Sequence, residues 1–444
     1  MSRGGASRVV CPPWCVGNEV SAAARVAVFA LLALGLAGCR AGAARADAGS
    51  VPVRPLQSSL PAQANVSRGP VVVTVVIDQM AAWIASERWP ELPRDGGFAR
   101  LLREGTYVRQ MRYAHAVTET APGHSALYTG AVPRESGIFA NEVLDDKAEH
   151  VSVLLDVGTR LVGADGILPD YAGSSASRLK KDTLGDSLRA AAPDATILSL
   201  SLKDRGAILG GGRAPNAAIW FEPKVDRFVT STAFAKELPA WTKAPVSSEA
   251  LARLRSKPWD LLDRSWVERH ARTPDGQDGE GDLANFGITF PHAYSTSSNP
   301  AVALRTSPMA DELVLALAEA ALEAQPPTGA SPILLALSLS ANDYIGHTFG
   351  PDSWEAWDEL YRLDHSLRLF LEALDARFGS NGYAVLLTAD HGVTTMPEAA
   401  LVPGVRTWCQ GATDRWQRAC GPVGRLKPPM LDAELRRAAE AALG

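Results

Sequence analysis

Residues 70–77 read Pro-Val-Val-Val-Thr-Val-Val-Ile, an almost unbroken β-branched run. A half-exposed strand would alternate apolar and polar positions, so this run predicts a strand covered on both faces. Comparable apolar runs recur at 196–200, 217–221, 332–339 and 383–388. Helical patterns lie between them, at 97–104, 183–191, 310–324 and 354–378. A further short helix is expected at 125–130, after a turn rich in small residues. Strands alternating with helices predict an α/β sandwich whose central sheet is mostly parallel.

Polar residues follow four of the runs. Asp78 follows the first, Lys203 the second, Asp343 the 332–339 run and Asp390 the last. Open sheets of this kind carry their sites at the carboxyl ends of strands. One such residue would be chance, whereas four make a pattern. Between about 221 and 307 the periodicity is lost, with Trp241, Trp259, Trp266 and an Asp/Gly-rich loop at 275–282. That stretch is expected to be a cap inserted over the core. No internal repeat is present.

The first 46 residues read as a leader. An apolar segment at 26–36 follows Arg25 and ends in Leu36-Ala37-Gly38-Cys39, which resembles a bacterial lipobox. It has the length of a signal segment rather than of a membrane span. The expectation is export, with a lipid on Cys39 as the sole membrane contact; the rival is soluble secretion after Ala44-Arg45-Ala46. Residues 47–68 read as a linker and 69–444 as the catalytic domain. Setting aside Cys11, Cys15 and Cys39 leaves Cys409 and Cys420. In an oxidising compartment these two are expected to form a structural disulfide. The net charge of −5 supplies no basic footprint for nucleic acid. Oligomeric state has no signature in the sequence.

The candidate chemistry centres on Thr118-Glu-Thr-Ala-Pro-Gly-His124. Thr120 offers a hydroxyl nucleophile. Asp343 and His347 are four apart, on one side of a helical turn, and carboxylate plus imidazole suits zinc. Asp390-His391-Gly392 at a strand tip fits a metal site as well. Separately, each element has an ordinary reading: Asp78 as a helix cap, Thr120 as a turn residue, Lys203-Asp204-Arg205 as a solvated charge cluster. Together they point to a metal-activated alkoxide attacking phosphorus.

Ile-Asp-Gln-Met at 77–80, Gly-Gly-Phe at 96–98, Thr-Ala-Pro-Gly-His-Ser at 120–125, Ser-Leu-Lys-Asp-Arg at 201–205, Asp-Tyr-Ile-Gly-His-Thr-Phe-Gly-Pro at 343–351 and Ala-Asp-His-Gly at 389–392 resemble the alkaline phosphatase superfamily. The similarity is to its PafA-type bacterial monoesterases, neighbours of the nucleotide pyrophosphatase/phosphodiesterases. The resemblance implies two zinc ions. Thr120 would be the nucleophile and a ligand of one, completed by Asp78, Asp390 and His391. Asp343 and His347 would hold the other. Asn141, Lys203 and Arg205 would contact the phosphoryl group, and a monoester dianion needs those extra donors more than a diester does. His124 is expected to support the turn.

The family takes a further histidine for the second zinc, from near its C-terminus, and none follows His391 here. The expectation is an incomplete reading frame, weak binding at the second site and low activity. The implied activity is a zinc-dependent phosphomonoester hydrolase acting on small molecules through phosphothreonine. Its rivals are a phosphodiesterase or pyrophosphatase and a truncated, non-catalytic phosphate-binding lipoprotein. No Cys-x-Pro-x-Arg stretch supports a sulfatase.

Overall fold

The computed structural model describes residues 69–109, 111–326, 329–399 and 428–443. The leader with its cysteines, the 47–68 linker, and Cys409 and Cys420 lie outside the described residues. No helix among the described residues is long and apolar enough to cross a membrane.

In chain order the strands are β1 (Val71–Ile77), β2 (Glu142–Leu144), β3 (His150–Ser152), β4 (Leu155–Gly163), β5 (Gly166–Ser174), β6 (Thr196–Ser201), β7 (Ala217–Glu222), β8 (Arg227–Ser231), β9 (Ile333–Leu339) and β10 (Ala384–Thr388). Eight of them form one sheet in the order β10-β1-β9-β6-β7-β8-β4-β5. From β10 to β7 all pairings are parallel; β8, β4 and β5 continue it antiparallel. β2 and β3 form a separate hairpin. The expected α/β architecture with a mostly parallel sheet is thus the one observed.

Register aligns the strand tips. Ile77 pairs with Leu339, Val76 with Thr388 and Ser201 with Ser338. The next residues of the four strands therefore leave the same edge side by side, bringing Asp78, Lys203, Asp343 and Asp390 to one end of the sheet.

The two faces differ in the size of their side chains. Val71, Val73, Val75 and Ile77 face a large core shared with Leu335 and Leu337 of β9, Leu313 and Leu317 of the Met309–Glu323 helix, and Leu360, Leu363 and Leu367 of the Trp354–Phe378 helix. Burying each such side chain contributes about 2 kcal/mol. The opposite face is lined by Ala336, Ser199, Ser201 and Ser338, which lets helices approach closely. A Cβ on Gly206, in the Asp204–Gly211 helix, would lie 2.4 Å from Ser201 Oγ and 2.6 Å from Ser338 Oγ. Tyr128 also packs there, its hydroxyl 2.8 Å from Thr74 Oγ1.

Of the stretch expected as a cap, 221–222 and 227–231 lie in the sheet. Beyond it, Leu251, Trp259, Trp266, Val267 and Phe290 join the large core. Asp358 moors this part by accepting from Trp259 Nε1 and the Leu262 N–H, both at 2.7 Å.

Candidate active site

Thr120 is the first residue of the Thr120–Thr129 helix, which begins five positions before the stretch expected to be helical. Pro122 sits in the first turn, where its missing N–H costs nothing. Gly123 lets the turn seat on the sheet end: a Cβ there would be 2.4 Å from the Asp390 carbonyl oxygen. The Thr120 hydroxyl is thereby buried at a helix N-terminus, where partial positive charge favours an anionic oxygen. The Ala121 N–H donates to Asn141 Oδ1 at 2.8 Å. The Asn141 N–H in turn donates to Glu119 Oε2 at 2.7 Å, which fixes the asparagine beside the turn.

Lys203 lies at the centre. Its Nζ is 2.7 Å from Asp78 Oδ2 and 2.5 Å from Asp343 Oδ2, and donates to Thr120 Oγ1 at 3.2 Å. Burial alone would lower its pKa, but the Asp78 and Asp343 carboxylates outweigh it and raise the pKa, so the ammonium is firmly charged.

Asp390 is equally enclosed. Its Oδ1 accepts from the N–H groups of Gln79 (3.1 Å) and His391 (2.9 Å). Its Oδ2 lies 3.1 Å from His124 Nδ1. Burial would raise its pKa, yet His124, His391 and Lys203 together hold it down at about 2. His124 is wholly buried, with Nδ1 2.9 Å from the Thr120 carbonyl and Nε2 2.9 Å from Ser338 Oγ. It ties the nucleophile turn to both the sheet and Asp390.

His391 Nε2 is 3.3 Å from Asp78 Oδ1 and 3.8 Å from both Asp343 Oδ1 and Asp390 Oδ2. Burial lowers its pKa, but Asp78 first and Asp390 next raise it to about 9. His347 Nε2 reaches Asp343 Oδ1 at 3.2 Å, with its side chain 69% exposed. Arg205 is held by Asp204, NH1 to Oδ1 at 3.2 Å, and stands beside the cluster rather than inside it. The contacts thus bring Asp78, Thr120, Lys203, Asp343, Asp390 and His391 together directly. Asn141 and His347 are each one bond away.

Gln79 is the residue that sequence reasoning passed over. It follows Asp78 with φ +67°, a left-handed conformation rare for a non-glycine residue. That twist turns its N–H to Asp390 and lets its Nε2 donate to Asp343 Oδ1 at 2.9 Å. Asp311 was missed as well. It accepts from the N–H groups of Ser340 (2.9 Å) and Ala341 (3.1 Å), fixing the start of the Ala341–Thr348 helix that carries Asp343 and His347. Burial pushes its carboxyl up to about 8 despite those bonds.

The donor set fits a divalent cation. Donor atoms of Asp78, Asp343 and His391 all lie within 4.8 Å of one another. This trio draws on both ligand sets expected from the sequence. Asp78 is fully buried, and although Oδ2 is within ion-pair reach of Lys203, neither of its oxygens meets hydrogen-bond geometry. Three buried carboxylates against Lys203 and the His391 imidazolium still leave negative charge uncompensated, a costly arrangement unless a cation joins it. Carboxylate oxygen and imidazole nitrogen suit zinc.

The sequence profile of the type I phosphodiesterase/nucleotide pyrophosphatase family matches residues 72–442. The chain belongs to that family. Among curated members it is 34% identical over 349 residues to alkaline phosphatase PhoV of Synechococcus elongatus, covering 75% of this chain and 60% of that one. It is 33% identical to alkaline phosphatase PafA of Elizabethkingia meningoseptica, covering 74% and 60%. The chain therefore spans about 60% of the length of these relatives. A crystal structure of wild-type alkaline phosphatase PafA superposes with a TM-score of 0.68 at 30% identity, over 76% of this chain and 65% of that one. A PafA variant with four substitutions superposes with a TM-score of 0.70 at 27% identity, over 84% and 69%.

Proposed function

We propose that this family member is an exported, zinc-dependent phosphomonoester hydrolase that works through a phosphothreonine at position 120. The observation that carries the proposal is the single contact of Lys203 Nζ with Thr120 Oγ1, Asp78 and Asp343 at once. A hydroxyl at a helix N-terminus, beside a permanent cation and a carboxylate cluster, is built to become an alkoxide facing a phosphoryl dianion. The relatives named alkaline phosphatases support the same class.

The spacing of the PafA variant adds support. Its substitutions fall on a threonine, an asparagine, a lysine and an arginine at successive intervals of 21, 62 and 2 residues. Thr120, Asn141, Lys203 and Arg205 have those types at those intervals.

Asp78, Asp390, His391 and Thr120 would hold one zinc, and Asp343 with His347 the other. Bound zinc lowers the pKa of a coordinated hydroxyl or water and screens the leaving oxygen. The chain's own residues do the rest. Asn141 and the helix N-terminus bind and orient the non-bridging phosphoryl oxygens, with Lys203 and Arg205 opposing their charge. Thr120 Oγ forms a bond to phosphorus as the ester P–O bond breaks, and the electron pair leaves with the alcohol oxygen. Water then displaces Thr120 from phosphorus and releases inorganic phosphate. Helix N-terminus, Asn141, Lys203 and Arg205 give the site more donors than a diester monoanion requires.

The test compares p-nitrophenyl phosphate with bis-p-nitrophenyl phosphate in excess zinc. The proposal expects a higher kcat/KM on the monoester. Preference for the diester would move the protein to the phosphodiesterase side of its family. Binding of phosphate without turnover of either would mark it as a binding protein.

A further inference from the structure

Arg305 ends the Pro300–Arg305 helix, whose neighbours Ala301, Ala303 and Leu304 are sunk in the large core. The helix is fixed at both ends. Asn299 Oδ1 accepts from the Val302 N–H at 3.2 Å, and Thr306 Oγ1 donates to the Val302 carbonyl at 2.9 Å. Yet the guanidinium this rigid element presents has no carboxylate within ion-pair distance among the described residues, and its Nε is buried without a hydrogen-bond partner. Its guanidinium lies over the ring of Tyr344, 4.6 Å from the centroid. Burial raises the Glu222 carboxyl pKa and Arg305 lowers it from beyond ion-pair distance, so the half-buried guanidinium has an anion near it but none in contact.

Tyr344 connects Arg305 to the reaction centre. It follows Asp343 directly, and Lys203 Nζ lies 4.8 Å from the same ring centroid. Two cations under 5 Å from one centroid are less than 10 Å from each other. Lys203 is committed to Asp78, Asp343 and Thr120, and Arg205 to Asp204. Arg205 also keeps its Nε unpaired, but it and Lys203 face the transferred phosphoryl group, which leaves Arg305, without an ion pair among the described residues, for a second anion. Guanidinium is also the group best shaped for bidentate contact with phosphate or carboxylate.

We infer that Arg305, braced on Tyr344, forms a second anion subsite beside the phosphoryl site, selecting phosphomonoesters that carry another phosphate a short bridge away. This rests on the phosphomonoesterase reading and extends it from a reaction to a substrate class: diphosphates and bisphosphates rather than singly phosphorylated alcohols.

The test uses the full zinc-loaded chain and two probes that are not turned over, inorganic phosphate and methylenediphosphonate, titrated by calorimetry into wild type, Arg305→Ala and Arg305→Lys. The diphosphonate should lose roughly 10- to 100-fold in affinity in Arg305→Ala, the size of a charge-assisted contact. Phosphate should lose much less, and Arg305→Lys should recover part of the difference. The kcat/KM ratio for a sugar bisphosphate over p-nitrophenyl phosphate should fall by a similar factor. Equal losses on both probes would show that Arg305 merely supports the fold, and no loss on either would show that it meets no anion; each overturns the subsite. Selective loss of diphosphonate binding in a chain that turns over no monoester would keep the subsite and overturn the phosphomonoesterase reading instead.

Discussion

Asp390 and Asp343 face each other across one cluster, and they are held in opposite ways. Asp390 is fixed from several sides: backbone N–H groups of Gln79 and His391 on one oxygen, buried His124 on the other. Asp343 is gripped by side chains alone, Lys203, Gln79 and His347. Of these His347 points largely into solvent, 69% exposed, and among the described residues it pairs with Asp343. The Asp390 side is a rigid seat for a cation and for the nucleophile. The Asp343 side is held by side chains that can move, and on the proposed reading a bound cation would organise it.

Replacing the nucleophile should break the comparison most severely. Thr120→Ala should lower kcat/KM on p-nitrophenyl phosphate by roughly 10³-fold or more, and Thr120→Ser should retain activity. Next comes Lys203→Ala. It removes the cation that joins the two sides, so kcat/KM should fall by roughly 10²- to 10³-fold, with a smaller loss on the diester. Third is the asymmetry itself, read by zinc retention on dialysis. His391→Ala should release the tightly held equivalent, whereas His347→Ala should affect only the weaker one; equal losses would contradict the division into seat and loose side. Gln79→Ala should be milder, weakening zinc by about 10-fold through Asp343, as loss of a ligand's supporting hydrogen bond does.

The smallest effect lies outside the cluster. Burial, then Glu355 and Asp275, push the Glu280 carboxyl up from 4.5 to about 9, against a smaller lowering by the Gln277 backbone. Between those values the folded chain holds a proton that the unfolded chain has released, so stability declines as pH rises through that window. Glu280→Gln should therefore raise the melting temperature at pH 8 and leave it unchanged near pH 4. A fall at pH 8 would mean that the carboxylate meets a cation.

Much of this was legible where side-chain pattern and packing agree. The run at 71–77 and the helix at 354–378 end where periodicity places them. Polar residues after apolar strands pointed to one end of the sheet, and Asp78, Lys203, Asp343 and Asp390 do converge there. The β4–β5 hairpin escaped because its exposed edge strand mixes glycine, charge and apolar residues without alternation. The Asp204–Gly211 helix escaped because four glycine and alanine positions out of eight resemble a loop, and its stability comes from close packing on serines far away in sequence. The early start of the Thr120 helix was hidden by Pro122 and Gly123, which read as a turn. Gln79 escaped because its role depends on a backbone angle that no residue type announces. Arg305 looks unremarkable until its lack of an ion pair among the described residues is seen in three dimensions.

The claim at the centre is that Thr120 accepts the phosphoryl group. Zinc-loaded chain should be mixed with excess p-nitrophenyl phosphate, quenched in acid within the first turnovers, and digested for peptide mass spectrometry. The account predicts one added phosphoryl group on the peptide containing Thr120, assigned to that residue by fragmentation and absent from Thr120→Ala. Release of p-nitrophenol with no phosphorylated peptide, or with Thr120→Ala turning over as wild type does, would contradict it.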